Sequence, residues 1–305
     1  MKLTDLFSLQ GTLFAMMLIG AWLKKRNIID ANGKRCLSDL CINIVIPCNI
    51  FRSCLIDLEP GIFRTCSALL LSAVILQGIC LTLNRFLFNG YPDQRKKVLQ
   101  YCTIVPMSGF LGNPIAEGLY SSLGILYTSI YLIPMRIIMW SVGTTYFVAG
   151  ETVDRKKVLK NVATHPCLVA VYAGLICMAA QVHLPKVLTE TARYIGSCNS
   201  ALSMFIVGTI LADVRLSEII SRDTLVFSVL RLGILPALAF GLGILLGLDN
   251  VAHGVSVLMT GMPAGATAAI FAARYDSDAP FATRCVVCTT LLSMLTLPLW
   301  SWAVG

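Results

Sequence analysis

The sequence predicts an all-α polytopic membrane protein: ten transmembrane helices in two inverted five-helix repeats, with broken crossover helices 4 and 9. Three observations predict it. The chain is 56% hydrophobic and 13% charged, with a mean hydropathy of +0.77. A soluble domain carries roughly a quarter charged residues, and one core cannot enclose this much apolar surface. Apolar runs of about 20 residues, the length that crosses a bilayer, follow one another with short polar punctuation. Two of these runs are interrupted at matching places by Gly-x-Pro.

Apolar runs bounded by charge, glycine and proline place spans at 5–23, 36–56, 64–88, 98–122, 125–149, 163–181, 188–212, 224–247, 251–273 and 280–303. The second and seventh are the most polar. Lys24, Lys25 and Arg26 follow the first run instead of preceding it. That is the reverse of a cleaved signal peptide, so the run is expected to stay as the first span. The order gives a first repeat over 1–150, a short cytoplasmic loop over 151–162 and a second repeat over 163–305.

Loop charge tests the count. Loops after odd-numbered spans carry most of the 24 basic residues, among them Lys34, Arg35, Lys96, Lys97, Lys156 and Lys157. The opposite side has only Lys2, Arg64, Lys186 and Arg193. Positive charge stays in the cytoplasm, so both termini are expected outside the plasma membrane. The net charge of +8 follows from this bias and carries no indication of nucleic-acid binding.

Gly112-Asn113-Pro114 falls in the middle of the fourth run and Gly261-Met262-Pro263 in the middle of the ninth, about half the chain apart. Five spans per half make the second half enter from the opposite side, so the repeat is an inverted one. Proline removes a donor and collides with the carbonyl four residues back, and glycine loosens the chain. In lipid such a break survives only where protein or water satisfies the freed groups. Paired breaks point to a transporter site at the midplane. The half-helices starting near Pro114 and Pro263 aim their positive amide ends at a shared cavity, which favours an anion. Small polar residues flank both breaks: Ser108, Gly109 and Asn113; Thr260, Gly265 and Thr267.

Two intramembrane charges stand out. Glu117 lies one turn beyond the fourth-span break, and Arg136 sits near the centre of the fifth span. An isolated arginine at that depth costs about 2.5–3.5 kcal/mol or more, so it faces a cavity or a partner. It either anchors a substrate carboxylate or pairs with Glu117 across adjacent helices. Arg231 and Arg52, near span ends, are expected to snorkel to the headgroups. Asn43 and Asn49 flank Pro47 in the second span, and Asn199, Ser200 and Ser203 occupy the matching part of the seventh. These line the cavity or bond helix to helix.

The 12 cysteines are scattered through apolar runs and read as small hydrophobes. Cys285 and Cys288 have no second pair or histidine to complete a metal site. His165, His183 and His253 lie far apart at span ends, with no HExxH and no paired intramembrane aspartate. An enzyme, a metal centre and a cofactor are therefore not expected.

Three stretches then carry a family resemblance: SGFLGNPIAEGLYSSLG (Ser108 to Gly124); HPCLVAVYAGLICMAA (His165 to Ala180) with SALSMFIVGTILAD (Ser200 to Asp213); and MPAGATAAIFAARYDSDAPFATRCVVCTTLLSMLTLPLW (Met262 to Trp300). With these, nearly the whole chain resembles the auxin efflux carrier family, bacterial type, and its fold is similar to that of the bile-acid symporters. The resemblance implies ten helices in inverted repeats of five, with helices four and nine meeting at Pro114 and Pro263. How the helices divide between scaffold and transport domains stays open.

The expected function is a secondary carrier that moves a small organic anion, a mono- or dicarboxylate, by alternating access at the crossing of helices 4 and 9. The site residues are Gly112, Asn113, Pro114, Glu117, Arg136, Thr260, Pro263, Gly265, Thr267, Asn43 and Asn49. Coupling to H+ through Glu117, or drive by the membrane potential alone, is expected. No dense acidic cluster lies in the spans to hold sodium. The alternatives are a sodium-coupled symporter of the bile-acid type, a channel or small-molecule receptor, and an intramembrane enzyme. Monomer and homodimer both remain open.

Overall fold

Backbone groups find no partner in hydrocarbon, so an apolar run that enters a bilayer satisfies them along itself, as helix. The computed structural model describes residues 3–55, 61–147, 164, 166–182, 184–212, 219–275 and 277–305. Throughout these residues it shows helices, turns and one isolated β-bridge, with no strand. In chain order the helices are α1 Leu3–Lys25, α2 Ala31–Ser53 and α3 Ile62–Phe86, and α4 Asp93–Ile104. Then come α5 Ser108–Ile138, carried on through Met139–Gly143 and Thr144–Phe147, α6 Pro166–Ala180 and α7 Lys186–Leu211. The remainder are α8 Arg222–Leu245, α9 Asn250–Thr260, α10 Thr267–Arg274 and α11 Ala279–Val304.

Six of these (α2, α3, α5, α7, α8 and α11) are long and apolar enough to cross a membrane. The helix limits fall within a few residues of the apolar runs read from the sequence. The expected loop at 151–162, with His165 and His183, lies outside the described residues. Within α5, Ser121 has φ 53° and ψ −142°, so the helix is two legs, 108–120 and 122–138. That bend is where the sequence divides its fourth and fifth spans.

The side-chain distribution is that of a membrane protein. Large apolar side chains stand exposed, among them Leu18 and Trp22 on α1, Ile176 on α6, Leu245 on α8 and Leu299 on α11. Polar ones such as Asn49, Ser72, Thr103, Ser108, Ser203 and Thr289 are buried. A soluble protein sorts them the other way.

Prolines are accommodated in two ways. Widened turns at Cys41–Val45, Ser108–Gly112 and Leu230–Ile234 each end two residues before a proline: Pro47, Pro114 and Pro236. A turn spaced by five residues makes room for a ring that cannot sit against the carbonyl four back. Pro114 therefore lies inside a continuous helical leg, and the half-helix starts at Ser108. Where the sequence reading put a break at Gly112–Pro114, the interruption falls earlier, at Val105–Pro106–Met107 between α4 and α5. The other interruption, 261–266 between α9 and α10, includes the expected Pro263.

The described residues form two compact units, each drawing on both halves of the chain. The first holds α1, α2, residues 109–130 of α5, α6 and α7. There α1 lies directly against α7: a Cβ at Gly208 would overlap the Met17 carbonyl oxygen, and one at Gly20 would overlap the Phe205 backbone. Small residues at such contacts let backbones approach where no hydrophobic force draws helices together.

The second unit holds most of α3, α4, the chain from Tyr131, and α8 to α11. Arg95 on α4 ties together three helix starts in it. Its Nη1 donates to Asp223 of α8 at 3.0 Å and its Nε to Asp278 at 3.1 Å, while its guanidinium lies over the Phe281 ring. Asp278 also caps α11 by accepting from the Phe281 amide at 2.9 Å. This gives Asp278, just before α11, a structural role.

Candidate functional site

Each break in the second unit frees carbonyls and amides that hydrocarbon cannot satisfy, and their partners define the site. The two interruptions bond to each other. Met107 N donates to Pro263 O at 2.7 Å and Gly265 N to Val105 O at 2.8 Å, an antiparallel bridge around Pro106 and Ala264. Neither Pro106 nor Pro263 has an N–H to satisfy. The Ala264 amide donates to Thr289 Oγ1 of α11 at 3.1 Å. Ser108 Oγ donates to Met259 O at 3.3 Å, and Gln77 Nε2 to Ile104 O at 3.2 Å.

Arg231 of α8 completes the set. It is 2% exposed, donating from Nε to Met262 O and from Nη1 to Thr103 O, both at 2.9 Å. The expectation that Arg231 snorkels to headgroups is overturned: carbonyls freed by the two interruptions hold it inside the protein.

Around this junction Thr260 is buried and donates Oγ1 to Ser256 O at 2.7 Å, so the Tyr131 hydroxyl, 2.6 Å away, donates to Thr260. Ser256 in turn meets Ser72 of α3 at 3.2 Å. Thr267, first residue of α10, accepts from the Tyr101 hydroxyl at 3.0 Å. The unit thus brings Thr260, Pro263, Gly265 and Thr267 to one junction. Arg136 belongs to the same unit. It is 7% exposed, and its Nη1 has no hydrogen-bond partner among the described residues.

In the first unit Glu117 is the centre of a second cluster. Its Oε1 accepts from Arg52 Nη2 at 3.2 Å and its Oε2 from Asn49 Nδ2 at 3.1 Å. Glu117 is thus bonded to Arg52 and Asn49, and Arg52 turns inward instead of snorkelling. Asn113, Gly112 and Pro114 are buried in the same unit, and Asn113 Nδ2 lacks a partner among the described residues. Asn43 is exposed and bonds its own helix at Asp39 O, which removes it from a buried site. Asn199 accepts from Ser203, whose hydroxyl lies 3.5 Å from Cys41 Sγ.

Arg52→Gln is expected to lower stability by about 1 kcal/mol, since the pair is only partly exposed, and adding Glu117→Gln should recover most of that loss. Thermal unfolding of the two single variants and the double variant measures the coupling. Strictly additive losses would show that the pair contributes nothing.

Pro106, Arg231, Gln77 and Thr289 were missed by sequence reasoning. The signal for the first was present: Pro106-Met-Ser and Pro263-Ala-Gly are both a proline, one residue, then a small residue, about half the chain apart. The carbonyl partners left no local pattern.

Comparison with known proteins settles the class. The family described as "Membrane transport protein" matches residues 11–301. The chain belongs to this family, that of the auxin efflux carriers. An "Uncharacterized transporter" of Methanothermobacter thermautotrophicus is 27% identical over 302 residues, 95% of each chain. "Uncharacterized transporter MJ1031" of Methanocaldococcus jannaschii is 20% identical, over 94% of this chain and 95% of that one. "Uncharacterized transporter YfdV" of Escherichia coli K12 is 22% identical, over 94% of both. Family membership makes the chain a multi-pass membrane transporter and not an enzyme.

Proposed function

We propose that the protein is a secondary carrier for a small mono- or dicarboxylate, working by alternating access at the junction of the two interrupted helices. These are helices 4 and 9 of two inverted five-helix repeats, and both termini lie outside the plasma membrane. The observation that carries the reading is Arg136, a guanidinium 7% exposed with no carboxylate bonded to it among the described residues. A cation buried without a counter-ion is costly, and a transported anion supplies one. The half-helices that begin at Ser108 and Thr267 present positive ends, which add to the preference.

Glu117 is the carboxylate for proton coupling. Charge asymmetry supports the topology, and labelling a cysteine added at the C-terminus with an impermeant reagent checks it.

The test is thermal unfolding of purified protein with acetate, succinate and the neutral acetamide. A ligand that binds only the folded state raises the midpoint by mass action. A carboxylate is expected to raise it by several degrees in the wild type and not in Arg136→Gln, whose own midpoint stays near wild type. If the variant loses stability and response together, Arg136 is structural; if acetamide alone stabilises, the anion reading falls. In proteoliposomes, uptake of the stabilising carboxylate should follow an imposed pH gradient and ignore a sodium gradient.

A further inference from the structure

Arg231 carries an inference beyond its place in the hydrogen-bond account. Its guanidinium bonds one carbonyl from each interruption: Thr103 O at the end of α4 and Met262 O just beyond α9. Both are at C-terminal ends of half-helices, each with a partial charge of about −0.5. Together they present roughly one negative charge, matched by the single positive charge of Arg231. The third nitrogen, Nη2, has no partner among the described residues, and no carboxylate among them bonds the group. Carbonyl oxygens freed by broken helices, together with C-terminal half-helix ends, are the donor set with which carriers hold a coupling alkali ion.

We propose that Arg231 is a built-in cation, covalently fixed where a coupling sodium ion would otherwise sit, and that the carrier runs without sodium for this reason. The inference rests on the carrier reading above and deepens it. A resident charge cannot leave with the substrate, so it contributes no ion gradient to transport. It also balances the negative half-helix ends permanently, leaving the positive ends at Ser108 and Thr267 to face the anion in every state of the cycle.

The experiment is thermal unfolding of the full chain in choline chloride, with sodium or potassium chloride substituted at constant ionic strength. The wild type is expected to show no difference among the three salts. Arg231→Ser, which empties the position, should lose stability in choline and regain several degrees in sodium, and methylguanidinium should rescue it as well. A comparison of Arg231→Lys with Arg231→Met keeps the test decisive if the serine variant fails to fold. The lysine variant must be clearly the more stable in choline. Equal stability of the two, or a serine variant indifferent to sodium and methylguanidinium, overturns the proposal. A wild type indifferent to every carboxylate beside a sodium-responsive Arg231→Ser would remove the anion reading and leave the fixed cation standing.

Discussion

Gly208→Val is expected to cost the protein about 3 kcal/mol or more, a fall of roughly 5 °C or more in the thermal midpoint. The added Cβ would overlap the Met17 carbonyl oxygen and come within 2.8 Å of Ala21 N. Backbone is the obstacle, so no rotamer relieves it. The α1–α7 contact has the same geometry on its other side, where Gly20 faces the Phe205 backbone, and the two helices have to separate. In lipid the separation forfeits close van der Waals packing, the main force between apolar helices there. Gly11→Val is the control, because a Cβ at Gly11 of α1 meets nothing within 4 Å. Thermal unfolding in one detergent compares the two variants. If Gly208→Val melts within 2 °C of Gly11→Val, close approach at that glycine is not what holds α1 to α7.

Helix limits were legible because a single rule sets them: apolar length, ended by charge or turn residues. The sixth run, 163–181, became Pro166–Ala180, and the tenth, 280–303, became Ala279–Val304. The interruption at 261–266 includes the Gly-Met-Pro triplet, because the helix ends at Thr260 with no widened turn to absorb the ring.

Pro114 misled for a physical reason. A Gly-Asn-Pro triplet looks the same whether the helix is broken or merely widened. What decides is whether the preceding turn absorbs the ring, as Ser108–Gly112 does. Partners of freed carbonyls were illegible because they are distant in sequence: Arg231 reaches Thr103 and Met262 from another helix. A buried arginine reads as snorkelling until the acceptors inside are known. Likewise, the sequence reading weighs only Arg136 as a partner for Glu117, and Arg52, which does bond it, lies on another helix where spacing gives no signal.

Gly265→Val carries the second large expected effect, and it separates folding from function. A Cβ there would lie 2.9 Å from Val105 O and 3.1 Å from Val105 Cγ1. That oxygen accepts the Gly265 amide at 2.8 Å, one of the two bonds that join the interruptions. Forcing the two segments apart orphans Val105 O and Gly265 N, and strains the Met107 N to Pro263 O bond beside them. Each unsatisfied buried group costs about 1–3 kcal/mol, so the variant should lose about 2–6 kcal/mol. Carboxylate uptake in proteoliposomes should disappear even at temperatures where the variant stays folded. Thr289→Val is the graded companion: it removes the acceptor for Ala264 N, along with the hydroxyl's own bond to Cys285 O within α11, and leaves the bridge whole. It should therefore cost about 1–3 kcal/mol and lower uptake without abolishing it. The order wild type, Thr289→Val, Gly265→Val in both midpoint and uptake is what a rigid bridge requires. Uptake at wild-type rate in Gly265→Val would mean that the interruptions need not stay bonded during transport. Arg231, bonded to a carbonyl beside each interruption, and the Ser108 Oγ to Met259 O bond would then be the remaining ties between them.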